Sequence, residues 1–226
     1  MMAFFDYPKA ARFGRVVPKS RIYEAARVPP KLRRLFVDQV DQIVWQFKLA
    51  PETINLSATS SVSEIQVFAI SLRTANLGDT VLRAIDNAVA FPIVFELTRG
   101  GNRKAIAAFK RPSEADNLKW VVSEYFGSGW EPADKPRKPL PNALDLGALY
   151  DRLLSDLIPV QDKDNEHLAE RVARMEAVRA EQREIARIKA RLARERQFNK
   201  KVAINAELRE AANKLKSLGV EGVTEG

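Results

Sequence analysis

The sequence holds no cysteine and a single histidine among its 226 residues. The first absence removes disulfides, thiolate metal sites and cysteine nucleophiles together, and it suits a reducing compartment. The second removes the usual zinc sites and the Ser-His-Asp and Cys-His arrangements. His167 would have to serve in all of them, yet it stands at the head of a charged helical stretch, far from the apolar strands. No run approaches the roughly 18 uninterrupted apolar residues that span a bilayer. Met1 to Asp6 show no basic region leading into an apolar segment, so no secretory leader is expected. Glycine runs of the nucleotide-binding kinds are missing too, and Gly100-Gly101 reads as a tight turn rather than a phosphate cradle. These absences lead to the expectation of a cytoplasmic protein with no cofactor, no metal and no membrane attachment.

What is present is positive charge. Lysine and arginine number 37 against 29 acidic residues, a formal net charge of +8. Such an excess draws polyanions, either nucleic acid or an acidic protein surface. It is concentrated near the C-terminus, where Arg187, Lys189, Arg191, Arg194, Arg196, Lys200 and Lys201 are opposed within the run only by Glu195. On a helix these seven form a positive rod able to displace counterions from a phosphate backbone. The alternative is a solvated helix face matched by an acidic partner, and no base-reading motif accompanies the rod.

Along the chain, a Pro- and cation-rich start leads to a short helix over Ser20–Arg27, ended by Pro29-Pro30. The recurrence of Leu32, Leu35, Phe36, Val40, Ile43, Val44 and Phe47 predicts a helix from Lys31 to Phe47, closed by Pro51. Strands follow: a short one over Thr53–Leu56, a nearly continuous apolar one over Glu64–Leu72, and a third over Ile93–Thr98. A helix beginning at Asp79 or Thr80 lies between the last two, and a Gly100-Gly101-Asn102 turn returns the chain through Lys104–Lys110. Trp120 to Phe126 add one more edge segment. Pro132, Pro136, Pro139 and Pro141, mixed with cations, read as an extended linker. Asn142 or Asp145 caps a helix running from Leu146 to Ile158. From about Asn165 to Leu218 there is neither Gly nor Pro, and apolar residues recur at three- and four-residue steps. This is the pattern of one long coiled-coil-like helix, or of two with a subtle break, whose apolar stripe is too narrow to stand alone. The expected architecture is α+β: a small mixed sheet backed by helices over 1–130, a basic linker over 131–144, a short amphipathic helix over 145–159 and a long basic helix over 163–218.

Two chemical readings follow. Phe198, Val202 and Leu208 make an apolar stripe on the last helical run, and Asn205 within it can set register or partner choice. These four are the candidate docking residues, for a partner protein or a second copy. The competing reading is a metal-dependent nuclease. It would use Glu64, Asp86, Glu96 and Lys110 on or beside the central strands to hold Mg²⁺ and steady a phosphate oxygen. Its usual acidic–any–lysine step is missing, because Ala108 stands where the carboxylate belongs.

Several stretches together resemble one bacterial domain-of-unknown-function family, the one numbered 4391. They are Pro18–Ile22, Lys48-Leu49-Ala50-Pro51, Thr53–Leu56, Glu64–Phe68, Ile85-Asp86, Phe91-Pro92-Ile93, Ala107–Lys110, Leu149-Tyr150 with Leu153-Leu154, and above all the run Gln197–Arg209. Residues 113–143 take no part in the resemblance. It implies a protein encoded beside helicases and DNA methyltransferases of restriction-modification or antiphage-defence type, and it brings no catalytic residue with it. The expected role is a non-catalytic accessory subunit of such a complex, with the helicase or methyltransferase as partner and DNA as a further contact.

Overall fold

Proline sets the first helix boundaries. The computed structural model describes residues 4–113, 120–160, 163 and 166–219. The chain divides into two compact units, 1–159 and 160–226. The first begins with β1 (Phe5–Asp6), a 3-10 turn (Lys9–Ala11) and β2 (Arg12–Val16). Pro18 and Pro29 then stand immediately before α1 (Lys19–Ala25) and α2 (Pro30–Gln39). Pro30 itself occupies the first turn of α2, where its fixed φ is preset and its missing N–H has no helical partner to lose.

α2 stops at Gln39, and the helix expected over Lys31–Phe47 is corrected from there on: Val40–Leu49 is a strand, β3. Val40, Ile43, Val44 and Phe47 satisfy a helical period, but β-branched and aromatic residues also suit a pleated sheet. Antiparallel pairing with β4 (Ile65–Leu72), from Val40↔Leu72 to Leu49↔Ile65, decides between the two. The short strand expected at Thr53–Leu56 is likewise corrected, because Pro51 opens a helical turn, α3 (Pro51–Ile54). Asn55 ends it in the left-handed region at φ 54°, and the Thr53 hydroxyl donates to the Lys48 carbonyl at 2.7 Å.

Farther on the sequence reading and the structure run together. α4 (Asp79–Ala88) carries the chain from β4 to β5 (Ile93–Arg99), and these two strands are parallel, which requires such a crossover. β6 (Asn102–Pro112) and β7 (Trp120–Gly127) add antiparallel neighbours. The sheet is mixed and seven-stranded, in the order β2-β3-β4-β5-β6-β7, with β8 (Glu131–Pro132) also paired to β6.

Strand alternation gives the sheet two different faces. Phe68, Ile70, Phe95, Leu97 and Ala108 on one face pack with Ile22 of α1, Phe36 of α2 and Val81, Leu82 and Ile85 of α4. The other face meets α5 (Leu146–Ser155), capped by the Asp145 carboxylate on the Ala148 N–H at 2.8 Å. Tyr150 of α5 stacks on Phe109. Its hydroxyl accepts from the Lys110 N–H at 2.9 Å and donates to the Ala108 carbonyl at 2.7 Å. These two bonds satisfy the sheet backbone where β6 and β7 shift register between Ala108 and Lys110.

Residues 131–144, read as a linker, are extended but bound to this unit. β8 pairs with β6, and β9 (Lys138–Pro139) pairs in parallel with β1. Prolines and cations mark free linkers and edge straps alike, and here the cations find acids: Arg103 reaches Glu131 at 2.9 Å and Arg137 reaches Glu96.

The second unit contains α6 (Leu168–Arg194) and α7 (Phe198–Ser217). Of the two readings of 163–218, one long helix or two with a subtle break, the structure has the second. Residues 164 and 165 of that span, and 114–119 of the expected 1–130 domain, lie outside the described residues. The break needs neither Gly nor Pro. Glu195 turns extended, and its carboxylate accepts from the N–H groups of Arg196 and Gln197, both at 2.8 Å. The two helices fold back on each other. Ile185, Ile188 and Leu192 pack with Ile204, Leu208 and Ala211, and Arg191–Glu207 and Lys214–Glu181 ion pairs bridge the helices.

Replacing Tyr150 with Phe leaves the buried Lys110 N–H without its acceptor, and urea unfolding should register a loss of about 1–3 kcal/mol. In the second unit Arg174 grips the Glu166 carboxylate at 2.7 and 2.6 Å and, chiefly through that bond, holds its pKa down to about 2. A depressed carboxyl pKa stabilises the fold above the ordinary value of 4.5 and loses that contribution as pH falls towards 2. Circular dichroism should therefore show helix loss across that window, and the loss should flatten in Glu166→Gln.

Candidate functional site

Carboxylates and cations on the sheet are placed by strand alternation, so neighbours in sequence need not meet. Asp86, near the end of α4, and Lys110, on β6, do meet in the helix-covered layer, with Nζ 3.6 Å from the carboxylate. Lys110 is only 2% exposed. Its ammonium also donates to the carbonyls of Asp86 and Val89, at 2.6 and 2.5 Å, and so places a cation at the C-terminal end of α4, where the helix dipole favours one. The Tyr125 hydroxyl donates to the Asp86 carboxylate from β7. Burial opposes both charges: it raises the pKa of Asp86 and lowers that of Lys110, each resisted by the partner's charge.

Glu96 lies elsewhere. It is on the face of β5 opposite Phe95, and Arg137 forks its two carboxylate oxygens at 2.8 and 2.6 Å. Glu64 sits just ahead of β4 and accepts from Gln66 at 2.6 Å, with the Lys48 ammonium at 3.4 Å. The four residues of the nuclease reading thus occupy three places, and only Asp86 and Lys110 come together. Among the described residues, no group of three or more His, Asp or Glu side chains is close enough to hold a metal ion.

The fork between Glu96 and Arg137 floors a hollow of about 440 Å³, walled by Tyr7, Lys9, Arg12, Gln46 and Phe47. Sequence reasoning missed it. Tyr7 and Lys9 lie in the irregular N-terminal stretch and Arg137 in the supposed linker, and no local pattern brings them to the middle of the sheet.

The seven cations singled out in the sequence cluster around the turn between α6 and α7, and all are exposed. Arg187 pairs with Glu184 at 2.9 Å and Arg191 with Glu207. For Lys189, Arg194, Arg196, Lys200 and Lys201 no carboxylate among the described residues lies within 4.0 Å of the charged nitrogens. Glu195, the acid inside the cluster, accepts both backbone N–H groups of the turn on one carboxylate oxygen, Oε1, and those bonds lower its pKa. Of the four docking residues, Leu208 turns inward onto the hairpin seam. Phe198 remains 77% exposed and Val202 54%, with Asn205 exposed beside them at helical spacing. The hairpin end therefore joins a dense, weakly compensated positive charge to a small uncovered apolar strip.

A family model described as Domain of unknown function (DUF4391) matches residues 5–215. The chain belongs to this family. Comparisons with curated proteins and with solved structures return no match. The DUF4391 match runs from β1 into the last turns of α7, so the family joins the sheet unit and the hairpin in one sequence pattern.

In this DUF4391 chain the Asp86–Lys110 pair is built as a buried clamp, and its removal should cost folding stability. Lys110→Met strands the Asp86 carboxylate and two carbonyls and should lose about 3–5 kcal/mol in chemical denaturation. Arg194→Ala, at the exposed hairpin end, should stay within about 0.5 kcal/mol of the parent.

Proposed function

We propose that this protein is a non-catalytic accessory subunit of a cytoplasmic, DNA-acting bacterial complex, and that the hairpin end is its working surface. The observation that carries the reading is the exposed group of seven cations at the turn, five of them without a carboxylate partner among the described residues. Folding back gathers charges from both helices at one end, where they can lie along a phosphate backbone and release its counterions. Contacts of this kind hold nucleic acid without reading its sequence, which suits a subunit that positions another protein's chemistry. The kind of complex comes from the family resemblance, whose members stand beside helicases and DNA methyltransferases of restriction or antiphage-defence systems. In that complex Phe198, Val202 and Asn205 form the strip that docks on the partner, with Leu208 supporting it from the seam.

Fluorescence anisotropy with a labelled duplex tests the nucleic-acid half. Binding should weaken steeply between 50 and 200 mM salt, and Lys200→Glu with Lys201→Glu should lower the log–log salt slope by about 2. A duplex affinity unchanged by the double substitution contradicts the reading. Co-purification tests the docking half. Phe198→Ala with Val202→Ala should leave the melting temperature within about 2 °C of the parent, since neither side chain is in the core, yet release the partner helicase or methyltransferase. Retention of the partner by this variant contradicts the docking surface.

A further inference from the structure

The hollow on the sheet's second face has a purpose that the hairpin reading leaves unused. We propose that it binds a nucleoside monophosphate, free or at the end of a strand, with the phosphate on Arg12 and Lys9 and the base against Phe47 and Tyr7.

The floor is rigid. Arg137 holds both oxygens of Glu96 and also donates to the Phe5 carbonyl at 2.9 Å, so the acid, the strap and β1 are locked together before any ligand arrives. That fork cancels Glu96 against Arg137. What remains around the hollow is Lys9 and Arg12 facing one exposed acid, Asp6, and among the described residues neither cation has a carboxylate within 4.0 Å. The residual charge is positive and sits at the rim, where it can meet a small anion.

The wall carries two aromatic rings, tilted 38° to one another. The rings of Tyr7 and Phe47 lie 4.7 Å apart, and Phe47 is half-buried, leaving part of its ring for a further aromatic group. Tyr7 is 6% exposed and its hydroxyl is buried with no hydrogen-bond partner among the described residues. A polar group left so is rare in a settled interior and points to a partner that arrives with a ligand. Gln46 and Thr98 add amide and hydroxyl groups able to bond a base edge or a sugar. A volume of about 440 Å³ falls within the usual small-ligand range of roughly 300–1,000 Å³. A simple anion would leave the aromatic wall unused, and a neutral ring would leave the two cations unused. A nucleoside phosphate uses both.

Isothermal titration of the full chain with dAMP, deoxyadenosine, inorganic phosphate and a 5′-phosphorylated tetranucleotide tests this. Saturable binding of dAMP or of the tetranucleotide, tighter by about tenfold or more than either deoxyadenosine or phosphate, is expected, and which of the two binds better tells the free ligand from a strand end. Arg12→Ala, on an exposed side chain, should weaken nucleotide binding by about tenfold while leaving deoxyadenosine unchanged. Tyr7→Phe should weaken it several-fold without lowering the melting temperature, because the hydroxyl satisfies nothing in the free protein. If Tyr7→Phe does not fold, Lys9→Ala serves beside Arg12→Ala. Absence of saturable nucleotide binding, phosphate binding as tightly as dAMP, or an Arg12→Ala titration matching the parent overturns the proposal. The hairpin substitutions at Lys200 and Lys201 should leave the dAMP titration unchanged, so this site and the hairpin reading stand or fall separately.

Discussion

A narrow apolar seam that closes only when the chain folds back on itself governs the C-terminal half of this protein. Ile185, Ile188 and Leu192 on α6 are too few to hold a polar helix in water, and they find Ile204, Leu208 and Ala211 on α7. Closing the seam fixes the rest. The turn must fall near Glu195, the cations on either side of it must converge, and Phe198 and Val202 must face outward, because the other side of α7 is taken. The functional surface is thus a consequence of the packing solution. A stripe wide enough for a continuous helix against a large partner would have spread the same seven charges along its length.

The sheet unit follows a different logic, in which charge is carried inside and answered there. Lys110 with Asp86, Arg103 with Glu131 and Arg137 with Glu96 each bury one or both members of an ion pair, and each ties a peripheral segment to the central strands. Lys110 fastens the end of α4, and Arg103 and Arg137 fasten the strap around β8 and β9. Such pairs gain little over well-packed apolar residues, and their use lies in specifying which segment sits where. Basic composition therefore has two meanings in one chain: in these three pairs it is neutralised and structural, and at the hairpin end it is exposed and available.

Legibility in the sequence followed how local each cause is. α4, β5, the Gly100–Gly101 turn, α5 with its Asp145 cap and the helical C-terminus were all readable, because hydrophobic period, caps and turn residues act within a few positions. The boundary at Gln39–Val40 was not, since Val40, Ile43, Val44 and Phe47 fit both periods and only pairing with β4 chooses. The break at Glu195 lacks the residues that usually mark one; a carboxylate bonding two backbone N–H groups replaces them. The cations at the hairpin end were found as a run in sequence, but their gathering at one end depends on the fold-back. The hollow was invisible, because Tyr7, Phe47, Glu96 and Arg137 come from four separate segments and share no pattern.

Everything proposed for the basic surface depends on the fold-back, and a cysteine-free chain makes it simple to measure. Paired spin labels at Ala180→Cys and Ala212→Cys, both exposed, report the separation of α6 and α7 by pulsed electron resonance. Adjacent antiparallel helices lie about 8–10 Å apart between axes, so a label distance under about 25 Å is predicted. A distance near 48 Å, that of about 1.5 Å per residue along one uninterrupted helix, would contradict the account.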